Sequence, residues 1–146
     1  MAEFSWLHLT DFHCGMKGQD HLWPNIRDKF FDDLKILHER TGKWDAVLFT
    51  GDLVQQGAVK EFDNLNKNLE KLWKHFDKLG SSPILLAVPG NHDLVRPDLK
   101  SPAMRLLAKW HQNSEIHEEF WEDTESDYRK VIDTACINYT AWWEKK

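Results

Sequence analysis

With 146 residues, 41% of them apolar, eight Trp and eight Phe, the chain can bury the core of one domain and is short for two; its 29% charged content and few Gly and Pro argue against long disordered tracts. The net charge of -5 withholds the broad basic surface used for nonspecific nucleic-acid binding, although a local groove or a bound metal overrides such an average. Cys14 and Cys136 are too few and too far apart for a disulfide framework, and no secretory leader or apolar run near the roughly 18 residues needed to cross a bilayer is present, so a reducing, cytoplasmic setting with no membrane partner is expected.

In chain order, WLHLT from Trp6 to Thr10 reads as a first buried strand, within an N-terminal MAEFSWLHLTD. Leu22, Ile26, Phe30, Leu34 and Leu37 then recur at helical spacing, with Pro24 near the start and Gly42 past the end, predicting an amphipathic helix. AVLFT from Ala46 to Thr50 is a second strand. Val59, Phe62, Leu65, Leu69, Leu72, Phe76 and Leu79 predict a second helix closed by Gly80, and ILLAV from Ile84 to Val88 is a third strand. Strand and helix in alternation imply right-handed βαβ crossovers and a parallel sheet, with ligands beyond the carboxyl ends of its strands.

From Pro102 onward the pattern turns helical, around Met104, Leu107 and Ala108 and again around Val131, Ile132, Ala135 and Tyr139. The acidic SEIHEEFWEDTESD between them reads as a solvated helix surface or loop. Residues 1–97 are thus expected to form a βαβαβ core and residues 98–146 a helical, cap-like segment of the same α/β domain.

The polar clusters fall at the strand ends. The first strand runs into Asp11-Phe12-His13, the second into Gly51-Asp52, the third into Gly90-Asn91-His92-Asp93. Asp, Asn and His together form a mixed oxygen and nitrogen donor set suited to Mn, Fe, Zn or Ni rather than Ca. Each piece alone has an ordinary explanation: a chance Asp-x-His, a turn after a strand, a helix cap. Their joint placement after three predicted strands of one sheet favours a metal site.

These blocks, in this order and spacing, resemble the first three signature motifs of the calcineurin-like metallophosphoesterase superfamily, over residues 4 to 97. The resemblance implies half of a four-layer α/β/β/α sandwich and two divalent metal ions, Mn favoured. It implies Asp11 and His13 as ligands of the first ion, Asp52 as the bridge and Asn91 as a ligand of the second. His92 would lie near the scissile phosphate, stabilising it or protonating the leaving oxygen, with Asp93 orienting its imidazole. A carboxylate partner fixes an imidazole tautomer, which suits proton donation near neutral pH. Gly51 and Gly90 read either as turn glycines or as residues freed for positive φ beside a metal.

The family pattern continues with a lone His and a Gly-His-x-His block that are missing here. His111 and His117 are the only later histidines, and a spacing of six does not put them on one helix face; they read as surface or partner-facing residues. The first ion keeps three ligands and the second only Asp52 and Asn91. A sheet lacking its partner exposes apolar surface and open edges, so association with a second half of the domain, or with other domains, is expected.

Protein Ser/Thr phosphatases carry an Asp-Arg pair where this chain has Gln55-Gln56. Gly51-Asp52-Leu53, Gly57 and Glu61-Phe62 resemble the phosphodiesterase branch, which acts on nucleotides and nucleic acid. Phe62 is equally explained as core. His8 reads as a packed, hydrogen-bonded strand residue, Cys14 as a small loop residue beside the site, and Trp142 and Trp143 as the cover of a core edge. The expected activity is hydrolysis of phosphoric esters, phosphodiesters above all. The rival reading is a noncatalytic regulatory or interaction domain that keeps the fold.

Overall fold

The computed structural model describes residues 4–146; the side chains of residues 19–22, 24 and 25 are outside the description, which takes in Leu22 and Pro24 of the first predicted helix. Met1, Ala2 and Glu3, the start of the predicted first strand segment, also lie outside the described residues.

The chain forms two compact units, one running to Asp93 and the other Leu94–Lys146. In the first, β1 (Trp6–Leu9), α1 (Gln19–Thr41), β2 (Ala46–Thr50), α2 (Val59–Leu79) and β3 (Ile84–Val88) alternate. The strands pair in parallel in the order β1-β2-β3, with Trp6 opposite Ala46 and Ala46 opposite Ile84. This is the expected mixed α/β, parallel-sheet architecture, and its strand ends reach the polar clusters.

Two successive right-handed crossovers that advance in the same direction put both helices on one face of the sheet. The burial pattern agrees. Leu7, Val47 and Phe49 are buried, as are Phe62, Leu65, Leu69, Leu72 and Phe76 of α2 and Leu34 of α1. Each such side chain, fully buried, contributes roughly 1.5–3 kcal/mol. Trp44 packs edge-on to Phe76, with ring centroids 5.5 Å apart, and closes the core beneath β2.

The opposite face is bare. Trp6 is 57% exposed, Ile84 57% and Val88 55%, so the reading as buried strands holds for β2 and needs correction for β1 and β3. Within this unit, among the described residues, α1 and α2 cover one face, and β3 alternates between exposed and half-buried positions. The α1 stripe is also less buried than its spacing suggests, because Ile26 and Leu37 are exposed and Leu34 alone of the described stripe is fully buried.

The second unit holds α3 (Pro102–Leu107), α4 (Ser114–Glu122) and α5 (Asp127–Trp143). Their N-termini are capped by Ser101, Asn113 and Ser126, whose side-chain oxygens accept from the N–H groups of Met104, Glu115 and Arg129. The acidic stretch is largely the helix α4, with exposed Glu118 and Glu119 and one buried apolar residue, Ile116. Tyr139 and Trp142 are buried on α5, and Trp143 is half-buried with its ring 6.0 Å from that of Trp142. His111 and His117 are exposed. No helix among the described residues is long and apolar enough to cross a membrane.

Candidate metal centre

The carboxyl ends of β1 and β2 do not separate where the strands stop. The N–H groups of Asp11, His13 and Cys14 donate to the carbonyls of Gly51, Asp52 and Leu53 at 3.3, 2.8 and 2.9 Å. The two loops therefore travel together, and the Asp-x-His segment is fixed against Gly-Asp by main-chain bonds.

This arrangement bends the backbone sharply. Among the described residues Asp11, His13 and Asp52 are the non-glycine residues with positive φ, at 56°, 45° and 53°. Left-handed backbone costs an L residue of order 1 kcal/mol or more and collects at functional sites. All three are residues expected to hold metal.

The glycines have separate reasons. Gly51 has φ 113°, and a Cβ there would meet Gly90 Cα at 2.9 Å. Gly90 has no positive φ. It is required by close approach instead, since its own Cβ would fall on the Asp52 carboxylate and lie 2.6 Å from the Asp52 nitrogen.

The side chains converge. His13 Nε2 lies 3.7 Å from Asp11 Oδ1 and 4.0 Å from Asp52 Oδ2. These separations exceed a hydrogen bond, yet fall within the roughly 4.2 Å that two ligands at about 2.1 Å from one ion can span. His13, Asp52 and His92 each offer a ligand atom within 4.8 Å of the others. The mixed donor set and spacing fit a borderline divalent cation. The buried His13 Nδ1 has no hydrogen-bond partner among the described residues, so it is Nε2 that faces the carboxylates.

Asp11 is the exposed member, and its Oδ2 accepts from the Thr10 hydroxyl at 2.8 Å. Asp52 and His13 are half-buried. Asp52 Oδ1 accepts from the His92 main-chain N–H at 3.1 Å, which ties the second strand end to the third. Asn91 opens the single 3-10 turn Asn91–Asp93 and is exposed. The rings of His13 and His92 meet edge to face, with centroids 4.8 Å apart.

Asp93 meets main-chain donors. It is fully buried, and its Oδ1 and Oδ2 accept from the N–H groups of Val54 and Gly90, both at 2.8 Å. The imidazole of His92 is oriented by the main-chain carbonyl of Gln55, 2.8 Å from Nδ1. A carboxylate that closes its own 3-10 turn onto Gly90 and reaches across to Val54 is held in place by main-chain donors.

Gln55, noted in the sequence only where protein phosphatases carry Asp-Arg, meets His92 through its carbonyl, a contact that leaves no mark on residue type, and its side-chain amide nitrogen lies 3.4 Å from the same Nδ1. His8 Nε2 and Thr50 Oγ1 are 2.6 Å apart, so His8 is hydrogen-bonded as expected, though exposed rather than packed. Cys14 is buried, with the Asn68 side-chain amide donating to its Sγ at 3.4 Å.

A model of the calcineurin-like phosphoesterase family matches residues 4–142 of the chain. The match takes in every strand, all three polar clusters and most of the helical unit. No curated protein matches the chain.

Proposed function

Because the chain belongs to the calcineurin-like phosphoesterase family, we propose that it forms the metal-binding part of a phosphodiesterase or nuclease active site. The observation that supports this reading best is the convergence of His13, Asp52 and His92, with Asp11 alongside, at three adjacent strand ends.

In this reading Asp11, His13 and Asp52 would hold one divalent ion, and Asp52 with Asn91 a second, Mn²⁺ being the favoured occupant. When bound, such ions supply water activation and neutralise charge on the phosphoryl oxygens. His92 places its Nδ1–H on the Gln55 carbonyl. That leaves Nε2 as the atom that would carry, in the imidazolium form, the proton given to the leaving oxygen, the ring returning to its neutral Nδ1–H form. The His92 main-chain N–H on Asp52 Oδ1 keeps the bridging carboxylate turned into the site.

Gln55-Gln56, where protein phosphatases carry Asp-Arg, favours a phosphodiester, nucleotide or nucleic-acid substrate over a phosphoprotein. The bare sheet face and the two-ligand second ion support a further element of the proposal. Residues 1–97 act as the first half of a family domain, with 98–146 a helical insertion, and the second sheet and remaining ligands come from elsewhere in the protein. Cys14 and Cys136, not joined in a disulfide, are compatible with a reducing cytoplasm.

The test is hydrolysis of bis-p-nitrophenyl phosphate with Mn²⁺ by the complete protein. Asp52→Asn and His92→Ala are each expected to lower kcat/KM by about 10²-fold or more. Equal rates in the variants and the wild type would sink the assignment. Absence of metal-dependent turnover in every form of the protein would favour the noncatalytic interaction domain.

A further inference from the structure

We propose that Glu61, at the start of α2, is a positioning residue that fixes His92 through a single peptide group and at the same time braces the His13 loop. Glu61 touches none of the proposed metal ligands. Its Oε2 accepts from the main-chain N–H of Gln56 at 2.9 Å and of Ala58 at 3.1 Å.

The Gln56 N–H belongs to the same planar peptide unit as the Gln55 carbonyl. That carbonyl oxygen is the acceptor 2.8 Å from His92 Nδ1. One rigid plate thus carries the Glu61 carboxylate at its N–H end and the His92 ring at its oxygen end. A carboxylate on the N–H polarises the peptide, so the oxygen becomes a stronger acceptor, as in other chained hydrogen bonds. Two peptide units earlier the same loop is held again, the Val54 N–H donating to Asp93 Oδ1 at 2.8 Å.

The other end of the same carboxylate lies against the first strand's loop. A Cβ at Gly15 would sit 2.9 Å from both Glu61 Cγ and Oε1, so Gly15, two residues beyond His13, leaves room for this side chain. Ala58 has no side-chain acceptor with which to cap α2 reciprocally, so Glu61 makes one half of a capping box. A helix cap alone would need the bond to Ala58; the bond to Gln56 and the fit to Gly15 are additional.

With the Gln55 carbonyl the nearer partner of Nδ1 at 2.8 Å and the Gln55 side-chain amide nitrogen farther off at 3.4 Å, the consequence is a single His92 tautomer, Nδ1 protonated and Nε2 bare. Its importance for turnover rests on the proposed role of His92, but the tautomer itself is observable without metal or substrate, so either reading can fail while the other stands. The experiment is a long-range ¹H–¹⁵N spectrum of the ¹⁵N-labelled, metal-free chain at about pH 8, above the ordinary imidazole range. The His92 signals are assigned by their loss in His92→Gln.

Wild type and Glu61→Gln, which keeps an acceptor oxygen, are expected to show the Nδ1–H form alone. Glu61→Ala is expected to show a mixture, and to weaken Mn²⁺ binding about tenfold. Val59→Gly, which loosens the same first turn at an exposed position, is expected to leave the tautomer unchanged. A pure Nδ1–H form in Glu61→Ala, or equal mixing in Val59→Gly, would overturn the proposal. Should Glu61→Ala fail to fold, Glu61→Asp, one methylene short of the Gln56 N–H, is read in its place. Loss of the fold in both would assign Glu61 to stability alone and equally overturn it.

Discussion

Gly90 lies directly against Asp52, so close that a Cβ on the one would overlap the carboxylate of the other. The third strand end is therefore shaped around the side chain proposed to bridge the metals. Gly90→Ala is expected to push Asp52 aside, at a cost of about 1–3 kcal/mol from overpacking. Mn²⁺ affinity should fall with it. Urea unfolding together with calorimetric titration checks this, and an Ala variant with wild-type stability and affinity would mean that the turn yields freely.

Asp93 tests a different link. Both its oxygens accept main-chain N–H groups in a fully buried setting. Asp93→Asn would aim an amide N–H at one of those donors. Losing one such charged bond and leaving its donor buried costs about 2 kcal/mol or more. A side chain that served only to orient His92 would leave stability nearly untouched, so an unchanged urea midpoint would restore the direct pairing that the family resemblance implied.

The fold was legible in the sequence because its signals are local. Alternating apolar runs and helical stripes end at Gly42 and Gly80, and β2, β3 and α2 fall where Ala46–Thr50, Ile84–Val88 and Val59–Leu79 announce them. Asp11, His13 and Asp52, the proposed ligands, could be picked out for another reason: a metal site would demand particular side chains, whatever the backbone does. Gln55 and Glu61 drew notice in the sequence only through the family comparison, and their contacts were not legible because they run through a peptide group, which every residue has. The main-chain contacts of Asp93 were not legible because residue type names a carboxylate without saying which N–H group or imidazole it will meet. The bare face of β3 was hard to read from ILLAV itself, since a continuous apolar run looks alike whether one face or both are covered.

That bare face makes its own prediction. Trp6, Ile84, Leu86 and Val88 form an exposed apolar surface on a folded sheet. The native chain is therefore expected to bind the dye ANS while its near-ultraviolet circular dichroism stays that of a packed protein, unlike a molten globule. Ile84→Thr with Val88→Thr keeps β-branched side chains in the strand and should remove much of the dye signal, with a change in stability within about 0.5 kcal/mol. Dye binding unaffected by the double substitution would locate the apolar surface elsewhere.

His75 couples the α1–α2 packing to pH. Its ring stacks on Phe31, with centroids 4.5 Å apart and planes 12° from parallel, and its buried Nε2 has no partner among the described residues. Burial holds the imidazole below its ordinary value of 6.5, helped by the Lys78 charge and opposed by a hydrogen bond to the Phe31 main chain and by the Asp32 charge. The unfolded chain therefore takes up this proton at a higher pH than the folded one does. Stability from the neutral ring is complete above about pH 6.5 and is lost as pH falls from there through the lower folded value. His75→Phe keeps an aromatic ring on Phe31 and removes the proton. Its urea midpoint is expected to decline less than that of the wild type between about pH 7.5 and pH 5. Parallel declines in the two proteins would show that His75 titrates alike in both states.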